Sequence, residues 1–276
     1  MGLKQRIGVD LGRRLPLEDG IEWAARNDVH FCDAQVDIAP NAMESFDDAR
    51  CERVQELCEQ HDVHLGLHTL SAVNIAEISP FLRDATDRYL RAYMDLAKRL
   101  GAAWVVVHAG YHFTSDKQMR MEASLERLTR AADYAERVDS KLLLESMNWE
   151  PDHAEVHYLG HNVEECAYLF GRIDSPRLRW SFTVNHAHLV PEGIDGFIDG
   201  LDMSRCDEVR IADCTGEYEV HMKPGEGNID FGNMFARIEN SGYTGHYMNG
   251  FGTVDDMLEG RDYLVERARE AGITVD

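Results

Sequence analysis

Short apolar runs alternate with longer amphipathic segments along the whole chain. Between residues 86 and 100, for example, Tyr93, Ala97 and Leu100 follow one another at four- and three-residue steps, with charged residues between them. That spacing is typical of a helix with one buried face, whereas the short runs rich in Val, Leu and Ile are typical of buried strands. The pattern predicts helices at 46–61, 80–100, 117–138, 163–172, 231–241 and 254–271, and strands at 6–10, 30–36, 64–68, 104–108, 141–145, 179–183, 208–212 and 245–249.

Alternation of this kind predicts an α/β protein, and eight strands are the number of a closed (β/α)8 TIM barrel. The 276 residues suit one barrel domain spanning 1–276, because such barrels run to roughly 250 residues. A doubly wound sheet is the alternative, but it usually carries a glycine-rich phosphate turn after its first strand. Here the first strand leads into Asp10-Leu11-Gly12-Arg13-Arg14 instead.

Composition narrows the classes of partner. The net charge of −22 disfavours binding to the phosphate backbone of nucleic acids. No apolar run approaches the roughly 20 residues of a membrane helix, and the first residues lack the apolar stretch of a signal peptide. We therefore expect a cytoplasmic protein with a small-molecule substrate, neither nucleic acid nor membrane as partner, and homo-oligomerisation left open. The six cysteines form no CxxC pair, which favours reduced thiols.

Ionisable residues recur where the predicted strands end. His68, His108 and Glu145 each close an apolar run, and His186 follows the sixth strand closely. Burying several such groups at one end of a barrel is costly unless they pair, bind a metal or contact a substrate. Since active sites of these barrels lie at the carboxyl ends of the strands, the sequence predicts a polar small-molecule site there.

Several of these segments resemble a known family. They are HTLSAVNI at 68–75, VHAG at 107–110, LE at 144–145, NHA at 185–187 and HMKPGEGNIDF at 221–231. Together they are similar, in order and spacing, to the xylose-isomerase-like barrels, which include sugar phosphate isomerases and epimerases and endonuclease IV. The resemblance implies an isomerase or epimerase that removes a proton next to the carbonyl of a sugar, sugar phosphate or keto-acid.

The usual central metal site of that family is altered here. In its sugar isomerases a divalent metal is held by a Glu, an Asp, a His and a second Glu. Glu145 matches the first ligand, but Thr183, Arg210 and Asn249 occupy the other three positions. Because a guanidinium cannot ligate a cation, we expect the central metal to be absent.

Two outer groups of residues match the flanking zinc positions of the trinuclear endonucleases. The first is His68, His108 and Glu145, called here the His68 set, and the second is His186, Glu219 and His221, called the Glu219 set. Zinc or manganese at either set is one hypothesis, since imidazole and carboxylate are suitable ligands. The alternative is that these side chains hydrogen-bond substrate hydroxyls.

The resemblance and the altered positions together suggest roles. Glu145 is the expected base, His108 or His186 a proton relay, and Arg210 a cation that stabilises an enediolate or binds a substrate anion. A structural ion pair of Arg210 with Asp213 or Glu145 is the competing interpretation. The expected substrate-binding residues are His68, Thr183, His186, Asp213, His221, Asn249 and Trp149.

Three other functions stay open at this point. A lyase or dehydratase acting on a keto-polyol would share the same proton abstraction. A ligand-binding barrel without catalysis would explain the lost metal ligands. Endonuclease activity is disfavoured, because the central ligands are missing and the chain is strongly acidic.

Overall fold

The computed structural model describes residues 1–275 and shows a closed barrel of eight parallel strands. Each strand pairs with its neighbours in the sequence, and the first pairs with the last, with Ile7 opposite Tyr247 and Val9 opposite Asn249. The predicted (β/α)8 fold is therefore confirmed. The strands are β1 Ile7–Gly12, β2 Phe31–Ala34, β3 His64–His68, β4 Trp104–Val107, β5 Leu142–Glu145, β6 Leu178–Thr183, β7 Cys206–Ile211 and β8 His246–Asn249.

The helices form the outer layer of the barrel. The eight longer ones are α1 Leu17–Arg26, α2 Asp48–His61, α3 Pro80–Leu100, α4 Lys117–Val138, α5 Val163–Phe170, α6 Gly193–Gly200, α7 Phe231–Asn240 and α8 Val254–Glu270. Two four-residue helices, Leu3–Arg6 before β1 and Val184–Ala187 after β6, are additional, and the second carries His186. The pattern predicted six of the eight longer helices and missed α1 and α6. Among the described residues no helix combines the length and apolar character needed to cross a membrane.

The lower end of the barrel interior is filled by large rings. Trp104 and Phe31 lie at the amino ends of their strands and pack with Val106, Leu143 and Met248. Glycine at position 66 makes room for the indole, because a Cβ atom there would lie 2.1 Å from the Trp104 ring. This packing closes the amino end with apolar side chains and leaves the polar strand ends at the opposite mouth.

A short antiparallel ribbon lies above that mouth. Tyr111–His112 pairs with His157–Tyr158, an element that the sequence did not reveal. The ribbon follows β4 and β5 and places the Tyr158 side chain in the wall of the cavity described below. It narrows one side of the barrel mouth.

Candidate active site

A cavity of about 610 Å³ opens at the carboxyl ends of the strands. Its volume falls within the range of small-molecule sites. Seven of the residues predicted for the site line it, namely His68, His108, Glu145, His186, Arg210, Glu219 and His221. Further lining residues that the sequence did not single out include Asp10, Gln35, Glu150, Tyr158 and Tyr218.

Glu145 lies at the end of β5 and is almost fully buried. Its Oε1 accepts a hydrogen bond from the Thr183 hydroxyl at 2.6 Å, and its Oε2 lies 3.1 Å from His108 Nε2 and 3.3 Å from His68 Nε2. Burial raises the pKa of this carboxyl, but the hydrogen bonds from His108 and His68 outweigh burial and hold the pKa well below its usual range. Glu145 is thus an ionised carboxylate in a fixed orientation.

His68 and His108 face each other with 3.1 Å between their Nε2 atoms. Burial and the charge of Arg210 lower the pKa of His68, yet the hydrogen bonds to Asp33 and Glu145 outweigh both and raise it to about 10. Burial instead lowers the pKa of His108, whose Nδ1 lies 3.2 Å from the Thr69 hydroxyl. A charged and a neutral imidazole therefore lie side by side, an arrangement suited to passing a proton.

Arg210 forms the centre of a buried ion cluster. Its guanidinium lies 2.5 Å from Asp33, 2.9 Å from Asp10 and 3.3 Å from Glu208. Arg210 does form a structural ion pair, but its partners are not Asp213 or Glu145, so the predicted partners were wrong. The three carboxylates outweigh the effect of burial and raise the pKa of Arg210 further above its usual range. Because its charge is largely balanced by these partners, Arg210 is poorly suited to binding a substrate phosphate or carboxylate.

Asp10 and Asp33 complete this cluster, and the sequence analysis did not assign them to the site. They lie at the ends of β1 and β2, where the register between the two strands shifts at Asp10–Gly12. Asp33 is fully buried, whereas Asp10 lines the cavity, and its Oδ1 has no hydrogen-bond partner among the described residues. Burial and the nearby Asp33 charge raise the pKa of Asp10. The sequence pattern that indicated His68, an ionisable residue at the end of an apolar run, is also present at Asp10 and Asp33 and could have identified them.

The Glu219 set also comes together. Glu219 Oε1 lies 2.7 Å from His221 Nε2 and 3.4 Å from His186 Nε2. Each imidazole is oriented through its Nδ1, since His186 donates to the Ser146 carbonyl at 2.9 Å and His221 to the Gly250 carbonyl at 2.5 Å. Burial raises the pKa of Glu219, but the bonds from His186 and His221 outweigh it and lower the pKa to about 2.

The donor atoms permit a direct test of the implied metal. At the family's central position the guanidinium of Arg210 holds the carboxylates that a cation would need, so a central metal does not fit. The His68 set does fit zinc, because its three ligand atoms are separated by 3.1–3.3 Å. Ligands about 2.0 Å from a tetrahedral zinc ion lie roughly 3.3 Å apart. The Glu219 set offers the same kinds of ligand atom.

Four other predicted residues lie behind the cavity rather than in its lining. The Asp213 carboxylate accepts backbone N–H bonds from Cys214, Gly225, Gly227 and Ile229, so it holds the loop after β7. Asn249 donates to the Met257 carbonyl, Thr183 donates to Glu145, and Trp149 packs against the hydrophobic core. This placement does not support direct substrate contacts for these four residues.

Comparison with known proteins decides the family. The model of the family described as "Xylose isomerase-like TIM barrel" matches residues 12–274. The chain belongs to the xylose isomerase-like TIM barrel family. The resemblance seen in the sequence motifs is thereby confirmed.

Individual relatives of this barrel are distant. An uncharacterised protein of Methanocaldococcus jannaschii is 25% identical over 222 residues, which are 77% of this chain and 73% of that protein. Fructoselysine 3-epimerase of Escherichia coli O157:H7 is 24% identical over 160 residues, 57% of this chain and 55% of the epimerase. A crystal structure of a D-tagatose 3-epimerase-like protein superposes with a TM-score of 0.82 at 21% identity, covering 99% of this chain and 98% of that one.

Proposed function

We propose that this barrel is an epimerase for an unphosphorylated ketose or related polyhydroxy carbonyl compound. The observation that carries the proposal is the pair of carboxyl groups, Glu145 and Asp10, that line one cavity together with the Arg210 guanidinium. Two similar proteins, fructoselysine 3-epimerase and a D-tagatose 3-epimerase-like protein, carry names that support the same reaction class.

The two carboxyl groups have environments that push their pKa values in opposite directions. The pKa of Glu145 is lowered by its histidine partners, whereas that of Asp10 is raised by burial and by Asp33. Such a divergence separates a base from an acid within one site. We therefore assign Glu145 as the base that takes the proton from the carbon next to the carbonyl, and Asp10 as the acid that returns one from the other side.

Negative charge that develops on the carbonyl oxygen needs stabilising. Charged His68 lines the cavity and can donate a hydrogen bond to an enediolate oxygen, whereas Arg210, already bound to three carboxylates, holds Asp10 in place beside the substrate. His108 is neutral, and in the tautomer that carries its proton on Nδ1 its Nε2, 3.1 Å from Glu145 Oε2, can accept the abstracted proton and so return Glu145 to its ionised form. If the His68 set holds zinc, the ion would replace charged His68 in polarising the substrate carbonyl, because an imidazole that binds a metal is neutral.

The charge of the cavity favours a substrate without phosphate. Glu145, Glu150 and Glu219 line it, and Arg210 is the permanent cation among the lining residues. Because Arg210 is already paired with three carboxylates, an anionic group entering the cavity would meet uncompensated negative potential. A neutral sugar, or one carrying an amine, would not be repelled.

Deuterium incorporation tests this proposal directly. The full-length protein is incubated in D2O with D-fructose, D-tagatose and D-psicose, and with their phosphate esters, and the products are followed by NMR. We expect an epimerised neutral sugar with one deuterium at the carbon next to the carbonyl. Replacing either Glu145 by Gln or Asp10 by Asn should lower the rate by about 10²–10⁴, while the exposed control Glu59→Gln leaves it unchanged.

Each other outcome argues for a different function. A product lighter by one water would identify a dehydratase. Complete absence of deuterium exchange with any of these compounds would favour a binding barrel without catalysis. Faster turnover of the phosphate esters than of the neutral sugars would contradict the charge argument.

A further inference from the structure

A second cavity, of about 640 Å³, lies at the opposite end of the barrel. It is bordered by residues at or just before the amino ends of the strands, including Phe31, His64, Trp104 and His246. The reaction proposed above uses none of these residues. The amino end of such a barrel usually serves stability, so a large polar cavity there needs a separate explanation.

The floor of this cavity is a cluster of rings. Phe31 and His246 are stacked with their centroids 4.7 Å apart and their planes within 2° of parallel, and Trp104 lies 4.3 Å from His246. The Trp104 indole N–H is buried and has no hydrogen-bond partner among the described residues. It lies against Gly66 inside the barrel, so the contribution of Trp104 to the cavity is its ring rather than a hydrogen bond. Rings with polar edges suit a planar ligand.

The rim of the cavity is basic, although the chain as a whole carries −22. Lys141 and Arg179 border it, as does Arg6, whose charge is balanced by Glu239 at 2.8 Å. Asp207 binds both Lys141 and Arg179 at 2.8 Å, so one carboxylate balances two cations. The Lys141 side chain is 43% exposed, so its ammonium group can reach a ligand. Local positive potential on an acidic protein attracts anions to this end of the barrel.

From these observations we propose that the lower cavity is a second ligand site for a small planar ring that carries a phosphate or carboxylate. The ring would lie against the aromatic floor, and the anionic group would bind Lys141 and Arg179 at the rim. The cavity volume falls within the 300–1,000 Å³ typical of small-molecule sites. A mononucleotide and an aromatic acid share this chemistry. The proposal does not depend on the epimerase activity of the other end.

Calorimetric titration of the full-length protein at low salt tests the site. The probes are AMP for a nucleotide, benzoate for an aromatic acid, and adenosine as the same ring without the anion. We expect one saturable site per chain for AMP or benzoate. The tighter of the two shows whether the ligand is a nucleotide or an aromatic acid. Adenosine should bind at least about tenfold more weakly than AMP, because it cannot form a charged hydrogen bond to the rim.

Two variants locate the binding. Lys141→Gln should weaken binding of the anionic probe about tenfold, while Lys98→Gln, an exposed lysine on the outer face of α3, should not. Ala103 is exposed and borders the cavity, so Ala103→Trp should block it without disturbing the core. Circular dichroism verifies that each variant is folded. The proposal is overturned if neither anionic probe binds, if adenosine binds as well as AMP, or if folded Ala103→Trp binds as tightly as the wild type.

Discussion

Replacing Arg210 by Met probes the centre of the ion cluster. The guanidinium is 5% exposed and is bound to Asp10, Asp33 and Glu208. Methionine has a similar length and can fill the space, but it supplies neither charge nor hydrogen-bond donors. The substitution therefore leaves three neighbouring carboxylates without their common partner.

The expected loss of stability is large. Removing one partner of a buried ion pair costs about 3–5 kcal/mol, a large part of the 5–15 kcal/mol that stabilises a typical domain. Asp33 and Glu208 are both 0% exposed, so water cannot take over the role of the guanidinium. Asp10, with 16% of its side chain exposed, is expected to contribute less.

The loss should depend on pH. Burial raises the pKa of Asp33, but Arg210 and His68 outweigh it in the wild type and hold the pKa below its usual range. The Asp33–Arg210 ion pair therefore stabilises the wild type at pH values above about 3.9, the pKa of an aspartate in the unfolded chain. Its contribution is lost as the pH falls further and Asp33 becomes protonated. Without Arg210, the pKa values of the neighbouring carboxyl groups rise, so the folded variant takes up protons at a higher pH than its unfolded chain does. The difference in unfolding free energy between variant and wild type therefore shrinks as the pH falls from 7 to about 5.

Urea unfolding at pH 7 and pH 5 measures both effects. Arg210→Lys is the matched control that keeps the charge, and Arg210→Met combined with Asp33→Asn should recover part of the loss. A deficit below about 1 kcal/mol at pH 7, or one that is equal at both pH values, would refute the buried ion cluster.

Three further expectations follow from other parts of the structure. After dialysis against metal-free buffer, elemental analysis should find no more than about two equivalents of zinc per chain, because Arg210 already binds the two carboxylates of a third possible ligand group, Asp10, Asp33 and His68; a third equivalent would contradict the placement of Arg210. Glu165→Gln should lower the free energy of unfolding in urea at pH 7 by about 1–3 kcal/mol, since this buried carboxylate binds the Gly160 N–H and His161. Because the pKa of Glu165 is lowered to about 2, this stabilisation is lost as the pH falls from about 4.5 towards 2. An unchanged urea midpoint at pH 7 would count against this role of Glu165. Gly66→Ala should lower the unfolding midpoint and shift the fluorescence of Trp104, because the added Cβ would collide with the indole, and an unaltered spectrum would speak against that contact.

The strands were more predictable than the helices. All eight strand positions follow from short apolar runs, and the predicted 64–68 coincides with β3. Helices α1 and α6 were missed; α6 has glycine at three of its eight positions, which lowers helix propensity, and α1 is only ten residues long. In α1 the glycine is required by tertiary packing, since a Cβ at Gly20 would lie 2.7 Å from the Leu11 side chain. Such a contact between distant elements is invisible to a local pattern.

The site was predictable residue by residue but not as a network. The histidines and Glu145 were identified from strand ends and family motifs, and both outer sets do converge. The partners of Arg210 were not predicted, because Asp10 and Asp33 are about 200 and 177 residues away in sequence and are brought together only when the barrel closes. Asp213 looked like a site residue for the same reason as Glu145, yet four backbone N–H groups occupy its carboxylate.

The identity of residue 210 explains why acidic residues gather at the ends of β1 and β2. A buried guanidinium cannot persist without carboxylate partners, and Asp10, Asp33 and Glu208 supply them. The site thus retains a central cation surrounded by carboxylates, but the cation is covalently attached and cannot be removed by a chelator. Of the facing positions on β1 and β8, the acidic one that lines the cavity is Asp10, because Asn249 is neutral and is bound to the Met257 carbonyl. If this exchange of a metal for an arginine is the basis of the site, loss of Asp10 should damage catalysis more than loss of the Asn249 amide, which holds only the backbone behind it.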